Sequence, residues 1–83
     1  MTLNALEELI EDYAPRERKG YNYQKNYDII YCEWWLPFDF PEREIDDIID
    51  NMQDEVGTRI IYDIRETKGD TIVLTFDVSL PTY

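Results

Sequence analysis

The side chains that could do chemistry in this sequence are mainly carboxylates, and they are concentrated between Pro41 and Val56. Seven acids and one base, Arg43, give this segment a net charge of −6. Asp46, Asp50 and Asp54 recur every fourth residue, which in a helix places successive carboxylates about 6 Å apart along the axis. This spacing is comparable with that of phosphates along one nucleic-acid strand. The segment therefore predicts a surface that imitates the charge of nucleic acid.

Catalysis is disfavoured by the residues that the sequence lacks. The 83 residues include no histidine, which removes the commonest general base and the commonest metal ligand. Ser79 is the only serine and falls inside a predicted strand, and Cys32 has no imidazole partner. The three glycines do not form a phosphate-binding loop. We therefore expect no enzyme activity, no catalytic residue and no cofactor.

The carboxylates also do not follow the pattern of a metal site. Asp46, Asp47, Asp50 and Asp54 lie close together on the predicted helix. A calcium-binding loop, however, needs alternating oxygen ligands around a glycine bend, followed by a final glutamate. A straight helix cannot wrap around an ion in that way, so we predict no specific metal site.

The overall charge limits the class of partner. The chain has 8 basic and 19 acidic residues, a formal net charge of −11 and a pI near 4.1. Because phosphates and anionic membrane surfaces would be repelled, we expect neither nucleic acid nor a membrane to bind directly. The expected partner is a basic protein. A competing explanation is that the charge serves only solubility or reflects a halophilic source.

Length and composition indicate a single small domain over residues 1–83. Hydrophobic residues make up 43% of the chain and aromatic residues 14%, so a core can form and the chain is not a disordered acidic tail. Cys32 is the only cysteine, which excludes an intrachain disulfide. The sequence shows neither a leader pattern nor a membrane-spanning apolar run. We expect a soluble, cytoplasmic protein.

A first amphipathic helix is predicted at the N-terminus. Its apolar residues recur at helical spacing: Leu3, Leu6, Leu9, Ile10 and Tyr13. Acids occupy the opposite side: Glu7, Glu8, Glu11 and Asp12. Pro15 biases the residue before it away from helical geometry, so the helix should end by Tyr13. Gly57 should end the second acidic helix.

The segment 15–26 differs from the rest of the chain in charge. Four bases (Arg16, Arg18, Lys19 and Lys25) stand against Glu17, a net charge of +3. We predict a long, tyrosine-rich connection, in which the stretch from Tyr21 to Gln24 could form a short edge strand. Tyr21 and Tyr23 are expected to be exposed. The bases could pair with the chain's own acids or with those of a partner.

The remaining segments predict three strands. The first runs from Tyr27 to Leu36, is ended by Pro37 and has two partly apolar faces. The stretches 58–66 and 70–80 alternate apolar and polar residues and form a hairpin, with Thr67, Lys68 and Gly69 in its turn. The predicted fold is α+β in the order α-β-α-β-β. Two acidic amphipathic helices pack on one face of a three-stranded, mainly antiparallel sheet, with a right-handed crossover.

The second face of this predicted sheet would remain open. It would carry Tyr31, Trp35, Ile61 and Val73 among Arg59, Asp63, Arg65, Thr71, Thr75 and Asp77. Such a mixed apolar and charged surface is a candidate for dimerisation or for partner binding.

In its size, charge, lack of catalytic residues and acidic helices against a small sheet, the chain resembles the small acidic inhibitors carried by bacteriophages. These include anti-CRISPR and anti-restriction proteins. The resemblance is one of overall character. It implies an inhibitor that occupies the DNA- or RNA-binding channel of a defence nuclease or effector complex in the host cytoplasm.

Three hypotheses follow for the function. In the first, acids of both helices replace phosphates and exposed tyrosines anchor the partner: Asp46, Asp47, Asp50, Asp54, Glu7, Glu8, Glu11, Asp12, Tyr21 and Tyr23. In the second, the chain is an immunity protein or antitoxin that caps a basic toxin. In the third, it is an assembly protein that dimerises through the open sheet face, and its charge serves solubility. Whether it forms a homodimer is open in all three.

Overall fold

Two helices and a four-stranded antiparallel sheet make up the fold in the computed structural model, which describes residues 1–67 and 69–81. The elements in chain order are α1 (Leu3–Tyr13), β1 (Gly20–Asn26), β2 (Ile29–Pro37), α2 (Glu42–Val56), β3 (Tyr62–Glu66) and β4 (Thr71–Ser79). The sheet order is β1-β2-β4-β3. The predicted α+β class and the predicted antiparallel pairing are confirmed. The prediction of three strands is wrong, and Lys68 of the predicted turn lies outside the described residues.

The additional strand lies in the segment that we predicted to be a connection. β1 pairs with β2 along its whole length, from Gly20 opposite Trp35 to Asn26 opposite Ile29. Only the short stretch from Tyr21 to Gln24 was expected to be extended. Glycine, asparagine and lysine have low strand propensity, so the local sequence did not predict the full length of β1. Pairing with a strongly apolar neighbour overrides that local preference.

The turn between β1 and β2 places Tyr27 in an unusual backbone conformation. We predicted Tyr27 to begin a strand, but β2 begins at Ile29, and Tyr27 has a φ of 58° with 91% of its surface exposed. Two-residue hairpin turns favour positive φ, which glycine and asparagine adopt more readily than tyrosine. The backbone is therefore strained at this position.

We expect Tyr27→Asn to raise the free energy of unfolding by about 1 kcal/mol, because asparagine tolerates the left-handed region better than tyrosine. Urea unfolding followed by circular dichroism measures the change. Tyr27→Ala is the matched control, since it removes the exposed ring and keeps the Cβ that makes positive φ costly. Equal stabilisation by both substitutions would attribute the effect to the ring and not to the backbone.

The core lies between the helices and one face of the sheet. Most of its buried side chains come from both helices and the two central strands, and two come from connecting segments: Leu6, Ile10, Ile30, Cys32, Trp34, Leu36, Ile45, Ile49, Met52, Val56, Leu74, Phe76 and Val78, with Phe40 and Ile60. Trp34 and Phe76 meet edge to face, with ring centroids 4.9 Å apart. These apolar contacts fix both helices on the sheet, so their polar sides face outward.

Both helices end close to where the sequence predicts. The Thr2 side chain accepts a hydrogen bond from the Ala5 N–H at 3.1 Å and caps the start of α1. Gly57 ends α2 in the left-handed conformation, with a φ of 84°. Of the helices in the described ranges, neither is long and apolar enough to cross a membrane.

Candidate acidic binding surface

The outward side of α2 carries four exposed carboxylates, which we call the α2 acidic face: Asp46, Asp47, Asp50 and Asp54. The inward side of the same helix buries Ile45, Ile49, Met52 and Val56 in the core. Because the apolar stripe fixes the rotation of the helix, the carboxylates are held outward by packing. The last turn of α2 contains no base to offset the negative end of the helix dipole.

Among the described residues, the ion pairs lie elsewhere in the fold, and none of them gives the α2 acidic face a cationic partner. The four ion pairs between described residues are Arg18–Glu11, Lys19–Asp70, Lys25–Glu7 and Arg65–Glu33. None of these four involves an acid of α2. Within residues 1–67 and 69–81, the charge of this helix is therefore concentrated at the surface and not neutralised by a salt bridge.

Two tyrosine hydroxyls border α2 and respond to its charge. The Tyr62 hydroxyl donates a hydrogen bond to Asp46, and this bond is the main reason that the pKa of Tyr62 rises to about 12. The Tyr13 hydroxyl donates to Glu55 at 3.2 Å. The pKa of Tyr13 is raised, mainly by desolvation and next by the nearby Glu55 carboxylate. The negative charge of Asp12, in α1, raises this pKa further. The negative region thus extends from α2 to the end of α1.

The acids of α1 divide into two pairs with different surroundings. Glu11 accepts two bonds from the Arg18 guanidinium, at 2.8 and 3.1 Å, and Glu7 lies 3.4 Å from the Lys25 ammonium. Glu8 and Asp12 are exposed. Glu7 and Glu11 are therefore paired within the fold, although the sequence analysis assigned them to a partner together with Glu8 and Asp12. The bases that neutralise them come from the segment 15–26.

The stability of the fold should fall in acid as Glu11 becomes protonated. The Arg18 guanidinium holds the pKa of Glu11 below its ordinary value in the folded chain. A carboxylate with a depressed pKa contributes stability above its unfolded pKa and loses that contribution as the pH falls through the folded pKa. We expect the midpoint of urea unfolding to decrease below about pH 4.

Glu11→Gln should lower stability at neutral pH and flatten this acid-dependent decrease, whereas Glu8→Gln, at an exposed position, should leave the profile unchanged. An identical profile for wild type and Glu11→Gln would show that the ion pair does not contribute to the pH dependence.

The two predicted anchor tyrosines also have different environments. Tyr21 is 53% exposed, and the Arg18 guanidinium lies 4.2 Å from its ring centroid. Tyr23 packs against the core, where its hydroxyl donates to Glu11 and accepts the Trp34 indole N–H at 2.9 Å. Burial and the bond to Glu11 raise the pKa of Tyr23. The prediction that Tyr23 is exposed is wrong. Its side chain lies against the core, where its hydroxyl accepts the hydrogen bond of the buried Trp34 indole N–H.

Known proteins give no guide to this surface. Neither a family model, nor a curated protein, nor a solved structure matches the chain. Its function is therefore argued from its own charges and contacts.

The described residues offer little support for metal binding or for thiol chemistry. No three carboxylate or thiol side chains among them are placed to hold a metal ion. A shallow cleft of about 220 Å³ lies beside the β3–β4 turn, between Phe38 and Ile72. Cys32 is buried, and burial raises the pKa of its thiol, which disfavours the reactive thiolate.

The open face of the sheet is less apolar than its sequence suggests. Trp35 lies over Gly20, where an added Cβ would come within 2.7 Å of the indole ring. Val73 is only 6% exposed, so these apolar side chains already cover one another in part. At the centre of this face, Glu33 accepts hydrogen bonds from Asn22 and Arg65. Ile61 and Arg59 precede β3 instead of lying within it, and Ile61 is 73% exposed.

Proposed function

We propose that this protein is a stoichiometric inhibitor that places the α2 acidic face on the nucleic-acid-binding surface of a basic defence nuclease or effector complex. The observation that carries the proposal is the contrast between the two helices. Arg18 and Lys25 neutralise acids of α1, whereas none of the ion pairs in the described residues reaches α2. Unneutralised carboxylates on a rigid helix resemble phosphates on a nucleic-acid backbone.

The local cost of the α2 charges supports a role beyond solubility. Asp46, Asp50 and Asp54 are separated by four residues, and like charges at this spacing destabilise a helix by a few tenths of a kcal/mol per pair, roughly 0.2–0.5. Asp54 and Glu55 also lie at the negative end of the helix dipole. Acids dispersed over the molecule would give the same solubility without these costs, so the clustering favours a cationic partner.

The structure narrows the residues that we assign to the partner. The proposed contact set is the α2 acidic face with Glu8 and Asp12 of α1, which remain exposed. Tyr21 is retained as an aromatic anchor, because it lies on the edge strand β1 and is 53% exposed. Glu7, Glu11 and Tyr23 are excluded, since each is engaged within the fold.

The biological setting belongs to the same proposal. An inhibitor of a defence nuclease acts in the cytoplasm of the infected host, where it meets the nuclease directly. It requires no cofactor and binds no nucleic acid itself. An antitoxin that caps a basic toxin would use the same surface, and the identity of the bound protein separates these two functions.

The test is a titration of the protein into purified guide-RNA-directed nucleases and restriction endonucleases that cleave labelled DNA. We expect complete inhibition of a target at one molecule per nuclease binding site, and competition between the protein and uncleaved DNA for that target. Inhibition should weaken steeply as salt is raised, because exposed charges are screened. The proposal fails if nucleases captured from bacterial lysate at low salt retain full activity when saturated with the protein.

A further inference from the structure

The two helices cover different halves of the sheet. Glu11 of α1 accepts a hydrogen bond from Tyr23 of β1, and α1 also packs against β2. α2 lies beside β3, since Tyr62 of β3 donates a hydrogen bond to Asp46. The four strands and α2 all lie within residues 20–79, so movement of α1 away from the sheet breaks no strand pairing.

Few apolar side chains hold α1 in place. α1 buries two side chains, Leu6 and Ile10, whereas α2 buries four. The first turn of α1 has no acid and its last turn has no base, and Glu11 and Asp12 lie near the negative end of its dipole. A helix of 11 residues is marginal in water without tertiary packing. The helical state of α1 therefore depends on its contacts with the sheet and α2.

Polar side chains from residues 18–25 form a second set of contacts with α1, which we call the α1 latch. It consists of Arg18, Tyr23 and Lys25 with Asn4, Glu7 and Glu11. The side chains of Glu7 and Glu11 remain 35% and 38% exposed, and ion pairs with this much exposure contribute little to stability individually. The hydrogen bond from Tyr13 to Glu55 of α2 is also exposed. The latch is thus a set of weak contacts.

The thiol of Cys32 lies beneath α1. Cys32 is fully buried in β2, directly opposite Tyr23 of β1. The pKa of its thiol is raised chiefly by burial and further by nearby carboxylates, two of which, Glu7 and Glu11, belong to α1. Movement of α1 away from the sheet would therefore uncover this thiol.

We propose that α1 is a lid, held over β1 and β2 by the α1 latch, which opens as a unit while the strands and α2 stay folded. Opening releases the two buried side chains of α1 and the exposed latch, whereas global unfolding also disrupts the sheet and the packing of α2. Local openings of this kind need less free energy than global unfolding. The proposal does not depend on the inhibitor function.

Labelling of Cys32 with N-ethylmaleimide, followed by mass spectrometry, tests the lid in the full chain. Cys32 is the only cysteine, so each added label reports this position. We expect the wild-type labelling rate to be nearly constant at low urea, because lid opening exposes little surface, and to rise steeply only near the global unfolding transition. A rate that follows the full urea dependence of global unfolding from zero urea upward overturns the proposal.

Glu7→Gln with Glu11→Gln removes both carboxylates of the α1 latch and should raise the labelling rate about fivefold at neutral pH. Glu8→Gln with Asp12→Asn is the matched control, because it neutralises two exposed acids of the same helix and also brings the net charge from −11 to −9. The control should label within about twofold of wild type. Equal rates for the two variants would show that the latch does not hold the lid.

Ile64→Ala separates lid opening from global unfolding. Ile64 packs against the core from β3, at the opposite edge of the sheet from β1, so its truncation should lower global stability without touching α1. We expect the labelling rate without urea to be unchanged, although the global transition moves to lower urea. Backbone amides of α1 should also exchange faster than those of α2 and β4. Labelling that rises in proportion to the lost global stability, or equal protection of all these amides, would contradict a separate lid.

Discussion

Reversing two charges of the α2 acidic face, Asp50→Lys with Asp54→Lys, is expected to weaken binding to the target nuclease by at least about 100-fold, or about 2.8 kcal/mol. Both side chains are exposed and neither is used in an ion pair of the described residues. The substitutions should therefore leave the fold intact while placing cations against a cationic surface. Inhibition titrations and binding kinetics at several salt concentrations measure the effect.

The control variant changes the net charge by the same amount but on a different surface of the protein. Asp63→Lys with Asp77→Lys also brings the net charge from −11 to −7, and both residues are exposed on the open face of the sheet. We expect the control to inhibit within about threefold of wild type, because rim and distant charges contribute little to affinity. Equal losses in both variants would mean that net charge, and not the α2 acidic face, determines binding.

The acidic helix was predictable because its pattern is local. Ile45, Ile49, Met52 and Val56 repeat at helical spacing, and this spacing alone fixes which side of α2 is outward. The hairpin of β3 and β4 was predictable for the same reason, since its alternation is regular. Sequence therefore indicated both the α+β class and the surface on which the proposed function depends.

The division of the α1 acids was not predictable, because it depends on β1. Nothing local distinguishes Glu11 from Asp12; the difference arises when Tyr23 of β1, and Arg18 just before this strand, come to lie beside Glu11. β1 itself was not predicted in full, because several of its residues have low strand propensity. Because this edge strand was not predicted in full, the ion pairs of Glu7 and Glu11 within the fold were not predicted either.

The same network makes Tyr23 a sensitive position for stability. Trp34 is fully buried, and its indole N–H donates to the Tyr23 hydroxyl at 2.9 Å. Tyr23→Phe would leave this donor without that acceptor and would remove the hydroxyl donor of Glu11. A buried polar group that loses its partner costs about 1–3 kcal/mol. We therefore expect Tyr23→Phe to lower the free energy of unfolding by about 2 kcal/mol, as measured by urea unfolding.

Tyr21→Phe is the matched control, because it removes a hydroxyl from the neighbouring tyrosine, which is 53% exposed. It should change the free energy of unfolding by less than about 0.5 kcal/mol. The two rings lie 5.0 Å apart, so both variants retain the aromatic contact. In a Trp34→Phe background, which has no indole donor, the loss caused by Tyr23→Phe should shrink. If it stays the same, the hydroxyl stabilises the fold through Glu11 and Arg18, and the indole bond contributes nothing measurable.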